Sequence, residues 1–155
     1  MDINFEVITL ENLYIAAEII NSNPEYNVIE NGRETRTEKD MIGEFLHSNS
    51  FSLLVKADDT YIGVIDYLME NPKNRTPWLG LLMIHGDYHG FGFGSQSYKH
   101  FETELVNRGT NRILLGVIKE NKKAHDFWLS LGFSYYNTVI SKNQKEIICY
   151  EKVLI

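Results

Sequence analysis

A single cysteine, Cys149, excludes an internal disulfide, and three prolines with no Pro/Gly/Ser-rich stretch leave nothing that would divide the 155 residues with a linker. No repeat or low-complexity tract is present. The apolar runs fall far short of the ~20 residues that a membrane-spanning helix needs, and the start Met1-Asp2-Ile3-Asn4 lacks the basic and apolar regions of a secretory signal. Positive charge is in the minority: 15 Lys and Arg stand against 21 Asp and Glu, a net −6, which removes support for a broad nucleic-acid or anionic-membrane surface. An anionic ligand would need a local site. These absences predict a soluble, cytoplasmic protein folded as one domain over residues 1–155, with neither nucleic acid nor membrane as partner. Cys149 falls in the strand-like run Ile147-Ile148-Cys149-Tyr150 and reads as a packing residue rather than a nucleophile.

What is present begins with 43% hydrophobic content, enough for a sizeable core. Residues 3 to 8 read as a strand. After Thr9 as N-cap, Leu13, Ala16, Ala17 and Ile20 recur at helical spacing, and the helix ends near Asn21 before Pro24. The polar stretch from Ser22 to Arg36 reads as a loop, a candidate lid over a substrate. Thr37 with Asp40 opens a second helix that turns Ile42, Phe45 and Leu46 inward. Residues 51–57 and 60–68, joined by Asp58-Asp59, read as an antiparallel hairpin.

Trp78 to Ile84 is apolar without alternation, the pattern of a strand buried on both faces, and Arg112 to Ile118 repeats it. Between them lies a helix from Ser95 to Arg108, capped by Gly109. A further helix opens at Asn121, turns Ala124, Phe127, Trp128 and Leu131 to one side and stops at Gly132; strands at about 133–140 and 145–154 close the chain. A strand, helix, strand crossover demands a parallel pair, while hairpins demand antiparallel ones, so the expected fold is α/β with a mixed central sheet flanked by about four helices.

The turn His89-Gly90-Phe91-Gly92-Phe93-Gly94-Ser95 leads from the first buried strand into its helix. The first amides of a helix have no intrahelical partner and the dipole leaves that end partly positive, so phosphate is the natural guest. Glycines there admit dihedrals that other residues resist and let the main chain approach a ligand closely. The spacing matches neither a dinucleotide-fold fingerprint nor a P-loop. His85 and His89, with Asp87 between, suggest a metal, but no third strong ligand accompanies them and no metal is expected.

Together with Asn121, Ala124, Phe127, Trp128, Gly132 and Phe133, this turn resembles the GNAT N-acetyltransferase superfamily. Its phosphate turn reads Arg/Gln-x-x-Gly-x-Gly/Ala, and its later motif reads Asn-x-x-Ala-x-x-Phe-Tyr-x-x-x-Gly-Phe. The match covers Leu79 to Phe133. The resemblance implies an acyl-CoA N-acyltransferase fold whose central parallel strands splay apart, with acetyl-CoA as cosubstrate. Its pantetheine would lie along the main chain of Leu82, Met83 and Ile84, and its diphosphate on the amides from His89 to Ser95. Asn121, Ala124, Phe127 and Trp128 would border the thioester. The implied reaction is acetyl transfer to a primary amine of a small molecule or a peptide.

Such a reaction needs a base for an ammonium whose reference pKa lies near ~10, a donor for the oxyanion and a proton for the leaving thiolate. Asp66, with Glu70 behind it, is the best carboxylate for the base. The family's usual tyrosine is replaced by Trp128, whose indole cannot deliver a proton near neutral pH, so either Tyr135, Tyr136 or Tyr88 substitutes, with Tyr135 favoured, or the thiolate leaves and is protonated by water. Glu30, Glu34, Glu38 and Asp40 around the lid favour a cationic acceptor. The rival reading is a coenzyme A-binding sensor of the same fold with little turnover, and a third is a different nucleotide-binding α/β enzyme. Oligomeric state stays open, and a homodimer is compatible with either of the first two.

Overall fold

A computed structural model describes residues 2–47, 49–69 and 76–154. The elements run β1 (Ile3–Val7), α1 (Leu13–Asn21), α2 (Pro24–Asn31), α3 (Glu38–Phe45), β2 (Phe51–Ala57), β3 (Thr60–Leu68), β4 (Trp78–Ile84), α4 (Phe93–Asn107), β5 (Arg112–Ile118), α5 (Lys122–Ser130), β6 (Ser134–Ile140) and β7 (Glu146–Val153). The strands form one seven-stranded sheet in the order β1-β2-β3-β4-β5-β7-β6. Among the described residues only β4 and β5 run parallel; every other neighbouring pair is antiparallel. The mixed α/β sheet and the β2–β3 hairpin therefore stand as the sequence predicts.

Apolar side chains leave this sheet on both faces. One layer gathers Val55, Ile65, Leu115 and Val117 from the strands with Tyr98 and Phe101 of α4 and Trp128 of α5. The opposite layer packs Leu54, Val64, Leu81 and Met83 against Ala16, Ile19 and Ile20 of α1 and Met41 and Phe45 of α3. Complete burial of each such Leu or Ile contributes about 1.5–3 kcal/mol, so both faces hold their helices by packing rather than by helix propensity. Cys149 is 3% exposed in β7, opposite Gly116, and burial pushes its thiol above the usual range, as suits a packing residue. Among the described residues no helix is long and apolar enough to cross a membrane.

Several local expectations need correction. The expected loop from Ser22 to Arg36 contains α2, which brings the helices flanking the sheet to five among the described residues. Pro24 ends α1 and also starts α2, where its fixed φ suits the first helical position, and Gly32 at φ +75° closes it. The fully buried residue of α2 is Asn27, so no apolar stripe announces the helix. Asn27 Nδ2 donates instead to the carbonyls of Ile20 at 3.0 Å and Glu34 at 2.9 Å. In α1 the N-cap is Asn12, whose Oδ1 accepts from the Thr9 amide at 2.7 Å, so the helix begins later than Thr9 suggests. In α3 the Thr37–Asp40 capping box forms as expected, but Met41 and Phe45 are buried while Ile42 faces solvent.

Candidate functional site

The site starts from a register shift between β3 and β4. Across β3 and β4, Asp66 pairs with Leu81 and Tyr67 with Leu79, which leaves Gly80 as an extra residue on β4. A bulge of this kind bends its strand and ends regular pairing, and glycine tolerates the bend. On the other side, β4 pairs with β5 only at Trp78–Leu114 and Leu79–Leu115. Beyond the bulge the two parallel strands part, giving the splay that the resemblance implies.

The gap opens into a cavity of about 470 Å³. Gly80, Gly116 and Trp78 form its floor, and Tyr26, Arg36 and Glu44 stand over it from α2, the following loop and α3. Toward α5 the same gap narrows between Leu82 and Val117 and reaches Asn121, Ala124 and Trp128. A cleft between splayed strands thus connects a polar chamber on the α2/α3 side with the start of α5 on the other.

Main-chain direction along β4 decides which groups line this cleft. The His85 amide donates to the Ile62 carbonyl of β3 at 2.8 Å, and a Cβ at Gly63 would lie 2.7 Å from the Met83 carbonyl oxygen. Both odd-numbered residues thus face β3. Peptide groups alternate sides along a strand, so those of Leu82 and Ile84 face the cleft and that of Met83 does not. The expected contribution of the Met83 main chain is corrected accordingly; its side chain is buried against α1 and α3. The Ile84 carbonyl already accepts from Asn23 Nδ2 at 3.0 Å and from His89 Nε2 at 2.8 Å.

That second bond also corrects His89. A carbonyl only accepts, so His89 Nε2 donates this bond. The side chain ties the glycine turn to the end of β4 rather than reaching outward to a phosphate. The turn itself is open where an anion needs it. Gly90 and Gly92 adopt φ +86° and +82°, the left-handed region, and a Cβ at Gly90 would meet nothing within 4 Å. Gln96 makes the first backbone bond of α4, to the Gly92 carbonyl at 3.1 Å, so the amides of Phe93, Gly94 and Ser95 precede the helical ladder and α4 starts before Ser95. Phe91 projects into solvent with 68% exposure, while Phe93 packs toward the core. Gly94 is small for a different reason: a Cβ there would lie 3.1 Å from the Phe127 ring of α5.

Asn121 caps α5, its Oδ1 accepting from the Ala124 amide at 3.2 Å, and borders the cleft at the same time. Trp128 belongs to an aromatic cluster, 5.5 Å from the Tyr98 ring and 5.3 Å from that of Phe133, and closes the cleft as an apolar wall. Tyr135 lies on the edge strand β6, 59% exposed, with its hydroxyl 2.9 Å from Thr138 Oγ1 and no part in the lining of the cleft. Geometry does not bring it to the site. Tyr136 is also on β6, and Glu70 lies outside the described residues.

Asp66 does not line the chamber. Its Oδ1 accepts from the hydroxyls of Ser50 at 2.6 Å and Ser52 at 3.1 Å, and burial raises its pKa despite these two bonds. The carboxylates that line the chamber are those of Glu30 and Glu44, and Glu44 is the one paired with Arg36. Burial raises the pKa of Glu44, and the ion pair with Arg36 only partly opposes the rise. Tyr26 is held above the usual phenol range by burial, with Glu30 adding to the rise, so its hydroxyl keeps its proton and serves as a donor. Tyr26, Arg36, Glu44, Gly80 and Gly116 all escape a reading by motif, since each does its work through a neighbour distant in sequence.

A two-sided sheet whose only parallel pair splays at a bulge, with an open glycine turn at the end of the first splayed strand, has the architecture of the acyl-CoA N-acyltransferases. The sequence model of the Acetyltransferase (GNAT) family matches residues 14–133, and the chain belongs to that family of acetyltransferases. No curated protein sequence matches it. Among solved structures, an acetyltransferase from Thermus thermophilus superposes with a TM-score of 0.83 at 22% identity, covering 99% of this chain and 97% of that one. The ribosomal-protein-S18-alanine N-acetyltransferase of Escherichia coli gives 0.72 at 15% identity over 99% and 94%. The PaiA N-acetyltransferase of Thermoplasma acidophilum, solved in complex with coenzyme A, gives 0.69 at 18% identity over 99% of each chain.

Proposed function

We propose that this protein transfers an acetyl group from acetyl-CoA to the primary amine of a small molecule or peptide, with Glu44 as general base. The observation that carries the reading is the cleft opened by Gly80, which has anion-ready amides near one end and a half-buried carboxylate at the other. Acetyl-CoA supplies the acetyl group as an activated thioester. The residues present fit it: Gly90 and Gly92 leave the turn without side chains, the amides of Phe93, Gly94 and Ser95 are available to a diphosphate, and the main chain of Leu82 and the Ile84 amide border the cleft for the arm. Asn121, Ala124 and Trp128 form the far wall, and Phe127 packs against Gly94 behind it. Glu44 takes the proton of the incoming ammonium, the strand amides facing the cleft are placed to donate to developing negative charge, and coenzyme A leaves as the thiolate, which takes its proton from water.

Thermal unfolding and thiol release test this directly. Acetyl-CoA at 100 times its dissociation constant should stabilise the fold by about 2.7 kcal/mol, whereas NAD and ATP should not. Gly92→Val, which forces a branched side chain onto φ +82°, should weaken acetyl-CoA at least tenfold. Unchanged affinity in that variant would remove the turn from the site. Release of free coenzyme A on addition of amines separates a transferase from a coenzyme A-binding sensor.

Asp66→Asn supplies the contrasting measurement. Because the Asp66 carboxylate is engaged by Ser50 and Ser52 and lines no part of the chamber, its amide should keep turnover within about fivefold of the parent, well short of the loss expected for a general base. A hundredfold loss at constant acetyl-CoA affinity would return the base to Asp66.

A further inference from the structure

The loop between α2 and α3 uses two asparagines to place one arginine. Asn21 clamps the Arg36 backbone from both sides: its Oδ1 accepts from the Arg36 amide at 2.8 Å, and its Nδ2 donates to the Arg36 carbonyl at 3.1 Å. Asn27 holds the same loop two residues earlier through Glu34. The result is an Arg36 side chain only 7% exposed on the wall of the chamber, with its guanidinium 5.9 Å from the Tyr26 ring centroid.

For a buried guanidinium, this one is poorly matched. It has five N–H donors. Among the described residues its hydrogen bonds go to Glu44 alone, through Nη1, and Nε is buried with no partner. Burying a cation costs free energy unless its donors are satisfied, and an arginine fork fits a planar carboxylate better than any other side chain does. The same chamber offers carboxylates for an ammonium, from Glu30 and Glu44. Opposite charges therefore stand on one wall of a space sized for a small molecule.

We propose that Arg36 selects the acceptor by its carboxylate, so that the substrate class is a small zwitterion, an amino acid or short peptide with both the amine and the carboxyl group free. This rests on the acetyltransferase reading above. Arg36 takes the acceptor carboxylate while Glu30 and Glu44 face its ammonium. A second anion on Arg36 also loosens its hold on Glu44, which strengthens the base only when an acceptor of the right class is bound.

Matched acceptors test the assignment. Coenzyme A release from acetyl-CoA is measured with the protein amino acids and alanyl dipeptides, each beside its C-terminal carboxamide, and with spermidine. The expected result is a kcat/KM at least about tenfold higher for a free acid than for its carboxamide, the size of one charge-assisted contact. In Arg36→Gln that ratio should fall to within about threefold of unity, and in Arg36→Lys, which keeps the charge but loses the fork, it should lie between the two. Carboxamides or spermidine used as well as the acids, no free acid used at all, or a ratio untouched in both variants would each overturn the proposal. Acetyl-CoA affinity is measured separately in each protein. Its absence in the parent would defeat the acetyltransferase reading itself, and its loss in the Arg36 variants would assign Arg36 to the donor instead.

Discussion

Glu44→Gln is expected to lower kcat by about 10²–10³ while the dissociation constant of acetyl-CoA stays within about twofold, the signature of a lost proton acceptor in an intact donor site. Glutamine keeps the shape of the side chain and still offers an oxygen to Arg36, so the packing of α3 over the cleft is preserved. What disappears is the ability to take a proton from an ammonium. Burial makes Glu44 the better base by raising its pKa, and Arg36 opposes only part of that rise. The pH profile carries the sign. In the parent, kcat/KM should rise with pH as Glu44 ionises, with the midpoint above the usual carboxylate range, and in the glutamine variant that acid limb should vanish. The raised pKa also means that the native state holds this proton more tightly than the unfolded chain. Glu44 therefore favours folding in acid, and its contribution is lost as pH climbs through the native value. A loss of kcat smaller than fivefold, or an acid limb that survives the substitution, would remove Glu44 from the chemistry.

The difference between Glu44 and Asp66 shows where sequence reading reached and where it stopped. The glycine turn and the start of α5 were legible because each is a contiguous stretch whose residue types are set by local demands: positive φ at Gly90 and Gly92, and a side-chain cap at Asn121. The apolar runs of β4 and β5 announced a parallel crossover for the same reason. Gly80 was invisible inside such a run, since a bulge is a property of the pairing with β3 and not of the strand alone. The chamber was hidden more deeply. Tyr26 lies on a helix whose inward anchor is an asparagine, Arg36 in the loop behind it and Glu44 on the next helix, so only tertiary packing brings the three together. Asp66 was a reasonable choice by position, yet two serines contributed by the Ser50–Ser52 segment hold its carboxylate. Sequence spacing fixes a motif that one segment completes; it carries little information about a site assembled from four.

Gly116→Val should remove acetyl-CoA binding more completely than any change in the glycine turn, because it acts on the cleft rather than on one end of it. A Cβ at Gly116 would fall 2.7 Å from Ile147 Cγ2 and 3.1 Å from Trp78 Cζ2. Ile147 can rotate away, but Trp78 stands in the short paired stretch of β4 with β5, just before the bulge, and has the Leu114 pairing behind it. A branched side chain at residue 116 relieves the clash by moving the indole into the chamber, and that movement narrows the gap. Overpacking of this size costs about 1–3 kcal/mol, which for a chain of this length lowers Tm by roughly 2–12 °C, so the protein should remain folded at 25 °C. Acetyl-CoA affinity should fall by at least about thirtyfold, and the donor-induced rise in Tm should shrink with it. Gly109→Ala serves as the control: its Cβ would meet nothing within 4 Å and its φ of +89° makes the exchange mildly destabilising, but Gly109 lies at the far end of α4. Comparable stability losses with acetyl-CoA affinity retained only in the control would show that the narrow waist at Gly116 is kept for the ligand. Equal affinity in both variants would mean that the strands can part again around a valine, and the splay would then be a consequence of binding rather than its precondition.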